Sequence, residues 1–388
     1  MKSNRSRVLL IVGSLAALAS LRAVAGPNGL GKDPATRALS IFSDVFSLTR
    51  ANYVEPAESK VLLEGAYDGM SDALDPFSYY VPAAERPAYK TQQASGAVGS
   101  GIVIARRGGF PYVVAPLPGS PAEAMGIEAG DLIDSVDGKN MRNAPLWKLK
   151  AALEGPEGTR TNLVLFRVGD EKKLTLSVPR RRFEAVPLTT RWEKDVAIAR
   201  VPSFTPATAE ALRAVVEEAH RRSVTKLILD LRGSIGGEIK DAASPAGIFT
   251  GRGLVAKLVS RKAAFAPLES VGEKSWSGKT VILTDSATAG PAEVFAAALR
   301  EKAETVLVGE TTVGMAIVQR FVTTESGGGL FMTVGRYLSP SGVSLGGKGL
   351  TPDERVVVFP GDDGKEKDLI LERGLEVVRE ETSVRRAA

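Results

Sequence analysis

Residues 281–319 read VILTDSATAGPAEVFAAALREKAETVLVGETTVGMAIVQ, and the pattern of this stretch decides the fold. Val281–Thr284 is a short apolar run, Ser286–Gly290 a small-residue turn, Pro291–Arg300 a helical run and Thr305–Val308 a second apolar run. The order is strand, turn, helix, strand. Pro291 suits the first turn of a helix, where its missing N–H costs nothing. The turn therefore lies at a helix N-terminus beside the end of a strand, a usual place for a site in open α/β sheets.

The α/β pattern begins upstream, at Val196. VAIARV reads as a strand, Pro206–His220 as a helix, and KLILDLRG (Lys226–Gly233) as a buried strand with an arginine at its end. Ile235-Gly236-Gly237 follows. Paired glycines after a strand let backbone N–H groups approach a ligand closely, and they equally make a plain tight turn. His220, the only histidine, falls at the end of an amphipathic helical pattern, where it reads as a helix-end residue near solvent.

Val98–Val178 forms a second module. GSGIVI (Gly99–Ile104) opens a strand. Pro121 and Ala122 start a short helix that Gly126 ends, and LWKLKAALEGPEGTRTNLVLFR adds a longer helix, a Gly-Pro turn and a strand. The ordered set GSGI, GSPAEAMGI, GDLI, VDG and GPEGT resembles a PDZ domain. On that resemblance Gly99, Ser100, Gly101 and Ile102 form the loop whose backbone N–H groups capture a peptide carboxylate while the peptide adds a strand to the sheet edge. A PDZ-like domain used only for packing is the other reading. PRRRFEAVP (Pro179–Pro187) reads as a linker, with Arg180-Arg181-Arg182 a solvated charge run.

Residues 1–25 carry Lys2, Arg5 and Arg7, then the apolar Val8–Leu21, then Ala23-Val24-Ala25 before Gly26. That is the layout of a secretory signal, with an uncleaved anchor as the alternative. Either predicts a mature protein outside the cytoplasmic membrane, periplasmic or secreted. Ala35–Tyr53 and Ser59–Leu74 read as amphipathic helices with Phe42, Val45, Phe46 and Leu48 on one apolar face, a small helical domain or a lid. Asp75-Pro76 stops the second helix. The expected organisation is a signal peptide (1–25), an N-terminal helical domain (26–97), a PDZ-like domain (98–182) and an α/β core with a C-terminal helix (183–388).

Composition fits this layout. The 388 residues are 44% hydrophobic and 24% charged, an ordinary globular balance. The formal charge of +5 comes mostly from residues 1–25, which hold four basic residues and no acid. The rest carries 46 basic against 45 acidic residues. No basic excess points to nucleic acid. The chain has no cysteine, so it has no thiolate nucleophile and no cysteine-ligated metal. The sequence suggests neither a metal nor an organic cofactor.

Four further segments carry a resemblance over nearly all of the mature chain. LDPFSYYVP, LILDLRGSIGG, TVLVGETTVG and YLSPSGVSLGGKGLTPD, in that order, resemble the motifs of the carboxy-terminal processing peptidases, or tail-specific proteases. The resemblance implies a multidomain α/β fold: an N-terminal helical segment, a PDZ domain and a ClpP/crotonase-like peptidase core. It implies a PDZ domain that binds protein tails and gates a serine/lysine dyad, the lysine acting as a neutral general base in a dry pocket. A glutamine four residues after the lysine orients it. The family's serine lies three residues before a glutamate, and its lysine follows twenty-five positions later. Here Glu293 matches the glutamate, so Gly290 takes the serine's place, Met315 takes the lysine's place, and Gln319 is retained. Gly236, Gly237 and Gly290 remain as donors of oxyanion type.

The expectation is a homologue that binds C-terminal tails of extracytoplasmic proteins without cutting them. It would work alone, as a homo-oligomer or beside an active homologue, and it is not expected to bind nucleic acid. The alternative is an active endopeptidase that uses Ser286 or Thr288 with a relocated base. Lys302 stands about 18 Å along the helix and Lys279 roughly 15 Å along the strand. Only folding could bring Lys240 or Lys348 close.

Overall fold

The computed structural model describes residues 33–170, 172–262, 264–358 and 367–380; the expected signal segment, residues 1–25, lies outside them. Two compact units divide between Tyr67 and Asp68. The first carries α1 (Pro34–Asn52) and most of α2 (Ser59–Asp72). Asp33 caps α1, its Oδ1 accepting from Ala35 N–H at 3.2 Å, and Pro34 opens the helix. The expected apolar face is present, yet no residue of α1 is buried. Val45 is 56% and Leu48 61% exposed. The 3.6-residue periodicity predicts a face; it does not say that the same chain covers it.

The second unit begins with β1 (Tyr79–Val81) and α3 (Arg86–Ala94). A PDZ-type module follows: β2 (Ile102–Arg107), β3 (Phe110–Pro116), α4 (Pro121–Ala124), β4 (Leu132–Val136), β5 (Lys139–Asn140), α5 (Leu146–Leu153), β6 (Arg160–Phe166) and β7 (Leu174–Pro179). The antiparallel sheet runs β2-β3-β4-β6-β7. Period-two burial in β6 turns Thr161, Leu163 and Leu165 onto Leu149 and Leu153 of α5. Arg180 is not part of a solvated run. It is buried, and its guanidinium donates to the carbonyls of Ala152, Leu153 and Arg160. The end of α5 leaves carbonyls without helical partners, and this side chain takes them. Arg181 and Arg182 are exposed.

The core starts with β8 (Thr189–Glu193), β9 (Val196–Arg200), α6 (Thr208–Arg221) and β10 (Lys226–Asp230). It continues through α7 (Ala243–Thr250), β11 (Gly253–Val259), β12 (Leu268–Ser270), β13 (Lys279–Thr284), α8 (Pro291–Lys302) and β14 (Val306–Gly309). It closes with β15 (Ile317–Thr323), β16 (Gly329–Leu338), β17 (Glu354–Arg355) and α9 (Leu369–Arg379). The main sheet runs β17-β14-β13-β10-β9-β8, parallel except at β8. Helices cover both faces of its central strands, which is why VIL (281–283) and LIL (227–229) are unbroken apolar runs. On one face Leu212, Phe249 and Phe295 come from α6, α7 and α8; on the other Ile370 and Val378 come from α9. A second sheet runs β1-β16-β11-β12 with β15 on β16. Tyr79–Val81, within the segment 26–97 of the sequence reading, is therefore a strand paired with Gly329–Phe331.

Candidate functional site

The turn after β13 is fastened on three sides. Asp285 Oδ1 accepts from the N–H of Gly233 at 2.9 Å and of Ala287 at 3.1 Å. Ala289 N–H donates to Ser234 O at 2.9 Å, and Val313 N–H to Thr288 O at 3.0 Å. The loop after β10, the turn and the segment after β14 thus meet at the C-terminal edge of the sheet, where open α/β sheets carry their sites. Gly290 is the residue before α8, with φ +62° and ψ −115°. An L side chain there is strained, although its Cβ would have room, with Ile239 Cδ1 nearest at 3.8 Å. Gly236 (φ +104°) and Gly237 (φ +90°) also take left-handed backbone. A Cβ on Gly237 would lie 1.7 Å from Phe204 O, so that position admits only glycine.

Glu293 joins the two positions where the family resemblance puts a dyad. It is fully buried in the first turn of α8. Its Oε2 accepts from the N–H of Gly290 at 2.9 Å and of Met315 at 2.8 Å. Its Oε1 accepts from Gly314 N–H at 2.6 Å and Thr312 Oγ1 at 2.5 Å. Burial outweighs these four donors and pushes the carboxyl up to about 7. In the sequence Glu293 serves only as a marker of register. Apart from Gly290, three residues before it, its partners lie 19 to 22 residues further on, and no local pattern signals them.

Met315 is half-buried and packs on an apolar cluster shared by two domains. Ala105, Val114 and Ala115 come from the PDZ-type sheet, and Ile235, Ala287 and Ala289 from the core. The PDZ sheet thus lies over the site. Leu117 makes the connection in a single residue. Its N–H donates to Gly101 O at 2.7 Å, and its Cδ2 would lie 3.5 Å from a Cβ on Gly236. The loop Gly99–Ile102 is held by its carbonyls, since Ser100 O accepts from Ala122 N–H at 2.9 Å. Ser100 Oγ is buried without a partner. Gly101 has φ +81°, and a Cβ on it would stand 2.2 Å from Ser120 Cβ.

Gln319 lies on β15 opposite Thr333. Both Gln319 Nε2 and Thr333 Oγ1 are buried without hydrogen-bond partners. On the family resemblance this amide would orient a lysine at position 315, where this chain has a methionine. Gln319→Leu is therefore expected to leave stability unchanged or raise it by about 1 kcal/mol, read by thermal unfolding, because it removes an unpaired buried donor. A loss of about 2 kcal/mol or more would mean that the amide is satisfied.

The other candidates are occupied or exposed. Thr288 is buried, with Oγ1 2.9 Å from Leu231 O and 2.8 Å from Asp285 Oδ1, so its hydroxyl fastens the turn. Ser286 is exposed. Lys240 pairs with Glu238 at 2.7 Å, which raises its pKa and keeps it charged. Lys279 donates to Val377 O and Glu380 O at the far end of β13. Lys302 and Lys348 are exposed, whereas a lysine general base needs a dry pocket. His220 stacks on Trp276 at 5.8 Å, at the end of α6.

A PDZ-type sheet packed over the C-terminal edge of such a core defines a PDZ-bearing peptidase fold. Residues 195–356 match the family model of peptidase family S41, and residues 112–167 match that of the PDZ domain. The chain is 29% identical over 323 residues to the carboxy-terminal-processing protease of Bartonella bacilliformis, covering 82% of this chain and 74% of that protein. It is 27% identical over 354 residues to the carboxy-terminal processing protease CtpA of Bacillus subtilis, covering 89% and 75%. Among solved structures it superposes on the photosystem II D1 C-terminal processing protease with a TM-score of 0.63 at 24% identity, covering 88% of this chain and 97% of that one. Residues 195–356 thus form a peptidase family S41 domain and residues 112–167 a PDZ domain, and over most of its length the chain is similar to carboxy-terminal processing proteases.

Proposed function

We propose that this protein acts outside the cytoplasmic membrane, binds apolar C-terminal tails through the Gly99–Ile102 loop, and holds them without cleaving them. One observation carries the reading. Glu293 fixes positions 290 and 315 within one hydrogen-bonded unit, yet the side chains there are glycine and methionine. Neither supplies a nucleophile or a base. Gly236 and Gly237 still offer backbone N–H groups for a peptide carbonyl, whereas the N–H of Gly290, expected as a third donor, is taken by Glu293 Oε2. The loop can receive a carboxylate through its own N–H groups. Extracytoplasmic location rests on residues 1–25, and tails of proteins in that compartment are the partner class.

The test measures binding and turnover together. Peptides with apolar C-termini are expected to bind the purified protein and to remain intact. Amidation of the peptide terminus, or Gly101→Val, is expected to abolish binding, because either removes the carboxylate or closes the loop onto Ser120. Cleavage that disappears in Ser286→Ala or Thr288→Ala would establish the active alternative. Absence of binding with free carboxylates would leave the PDZ domain a packing element.

A further inference from the structure

Lys150 lies in the last turn of α5, and Glu154 directly follows the helix, four residues on and so on the same face. That face adjoins the Gly99–Ile102 loop. A Cβ on Gly99 would stand 3.7 Å from Glu154 Cγ, and Val98 and Gly155 exchange N–H···O bonds of 2.9 and 3.0 Å. Lys150 is one turn back along the axis, about 5.4 Å. Its ammonium stands 5.6 Å from the ring centre of Tyr79 and 5.7 Å from that of Phe331. Among the described residues it has no ion-pair partner and no hydrogen-bond acceptor. Glu154 Oε2 is engaged by Gln92 Nε2 at 2.8 Å. Lys148, two residues away in the same sequence run, is the contrast: it pairs with Glu85 at 2.5 Å.

We propose that Lys150 is the counter-charge for the terminal carboxylate of a bound tail, with the Ser100 hydroxyl as a further donor. The inference rests on the tail-binding reading above and names the side chains that complete that site. A half-buried ammonium is destabilising without an acceptor, and aromatic rings compensate it only in part. Burial lowers the pKa of Lys150, and Glu154 opposes that shift. Ser100, inside the loop, is 1% exposed and its Oγ has no partner. A carboxylate seated on the N–H groups of the loop supplies both orphaned groups with an acceptor. The lysine also answers an electrostatic problem. Glu154 places a negative charge beside a loop that is to receive another, and Lys150 offsets it.

The test compares one apolar-tailed peptide as free acid and as amide, both read by competition against a labelled tail on the full chain. Lys150→Met is expected to weaken binding of the free acid by about 10- to 100-fold, the scale of a hydrogen bond to a charged group. Binding of the amide, already weak, should stay where it is, so the gap between the two peptides closes. Lys150→Arg should keep most of the gap, and Ser100→Ala should narrow it by a factor of about 3 to 10. Lys150→Gln is the second variant should the methionine form not fold, and is expected to lose the same selectivity. A lysine that only packs between Tyr79 and Phe331 would, when replaced, weaken acid and amide alike, and that result would overturn the inference. So would a Lys150→Met protein that binds the free acid as tightly as wild type while Gly101→Val still abolishes binding; the tail-binding reading would then stand without this residue. A wild type that binds no free acid would instead overturn that reading. An amidated tail ending in aspartate that binds as tightly as the free acid would overturn the assignment to the main-chain terminus, giving the ammonium to side-chain carboxylates.

Discussion

The variant Gly290→Ser/Met315→Lys is expected to cleave apolar-tailed substrates that wild type leaves intact. Three features support the gain. The backbone at 290 already holds the strained conformation before α8, and a Cβ there meets nothing closer than 3.8 Å. A lysine at 315 enters the apolar surroundings of Met315, where desolvation favours the neutral amine that a general base needs. The orphaned Gln319 amide then has an amine to hold. Removing the serine nucleophile from a comparable hydrolase costs on the order of 10⁶ in kcat, so partial restoration by a factor of about 10² to 10⁴ above background is the expected scale. Each single variant should stay at background, because serine without base and base without serine are both inert. The measurement is single-turnover cleavage beside covalent labelling by a serine-directed reagent. A folded, tail-binding double variant that neither cleaves nor labels would mean that the geometry, and not only the chemistry, has been lost.

Much of this arrangement is legible in residues close in sequence. The strand, turn and helix of 281–302 follow from an apolar run, small residues and Pro291, and Gly236-Gly237 follows from the need for backbone without Cβ. Contacts distant in sequence are not legible. Glu293 looks like an ordinary first-turn acid, and its role depends on a loop 19 to 22 residues away. Arg180 looks like one of three solvated arginines until the end of α5 presents carbonyls to it. The apolar contact of the PDZ sheet with Ile235, Ala287 and Ala289 is spread over segments that no periodicity connects. The face of α1 shows the converse: its amphipathic pattern is plain in the sequence, while its exposure is not.

The second large effect is expected at Glu293. Glu293→Leu would bury the N–H groups of Gly290, Gly314 and Met315 without partners and leave the Thr312 hydroxyl, which still accepts from Leu350 N–H, with no acceptor for its proton. Each such loss costs about 1 to 3 kcal/mol, so a deficit of roughly 4 kcal/mol or more is expected, a fall in Tm on the order of 10 °C. Glu293→Gln keeps the shape but turns an NH₂ towards two of the four donors, and should cost about 2 to 3 kcal/mol. The pH dependence separates a charge effect from a packing effect. Burial raises the carboxyl from an ordinary 4.5 to about 7. Between those values the folded state keeps a proton that the unfolded chain has released. More protons are bound in the folded state, so stability falls as pH rises. The stabilisation is complete below 4.5 and lost through 7, and the difference of about 2.5 pH units corresponds to roughly 3 kcal/mol. Thermal unfolding from pH 4.5 to 8 should show this decline in wild type, and Glu293→Gln should lack it. A wild-type profile in which stability rises across that window on account of Glu293 would mean that the four donors, not burial, govern its charge. Glu293 would then be an ionised staple, and amide exchange at Gly290, Gly314 and Met315 would slow with rising pH, relative to the intrinsic rate, instead of quickening.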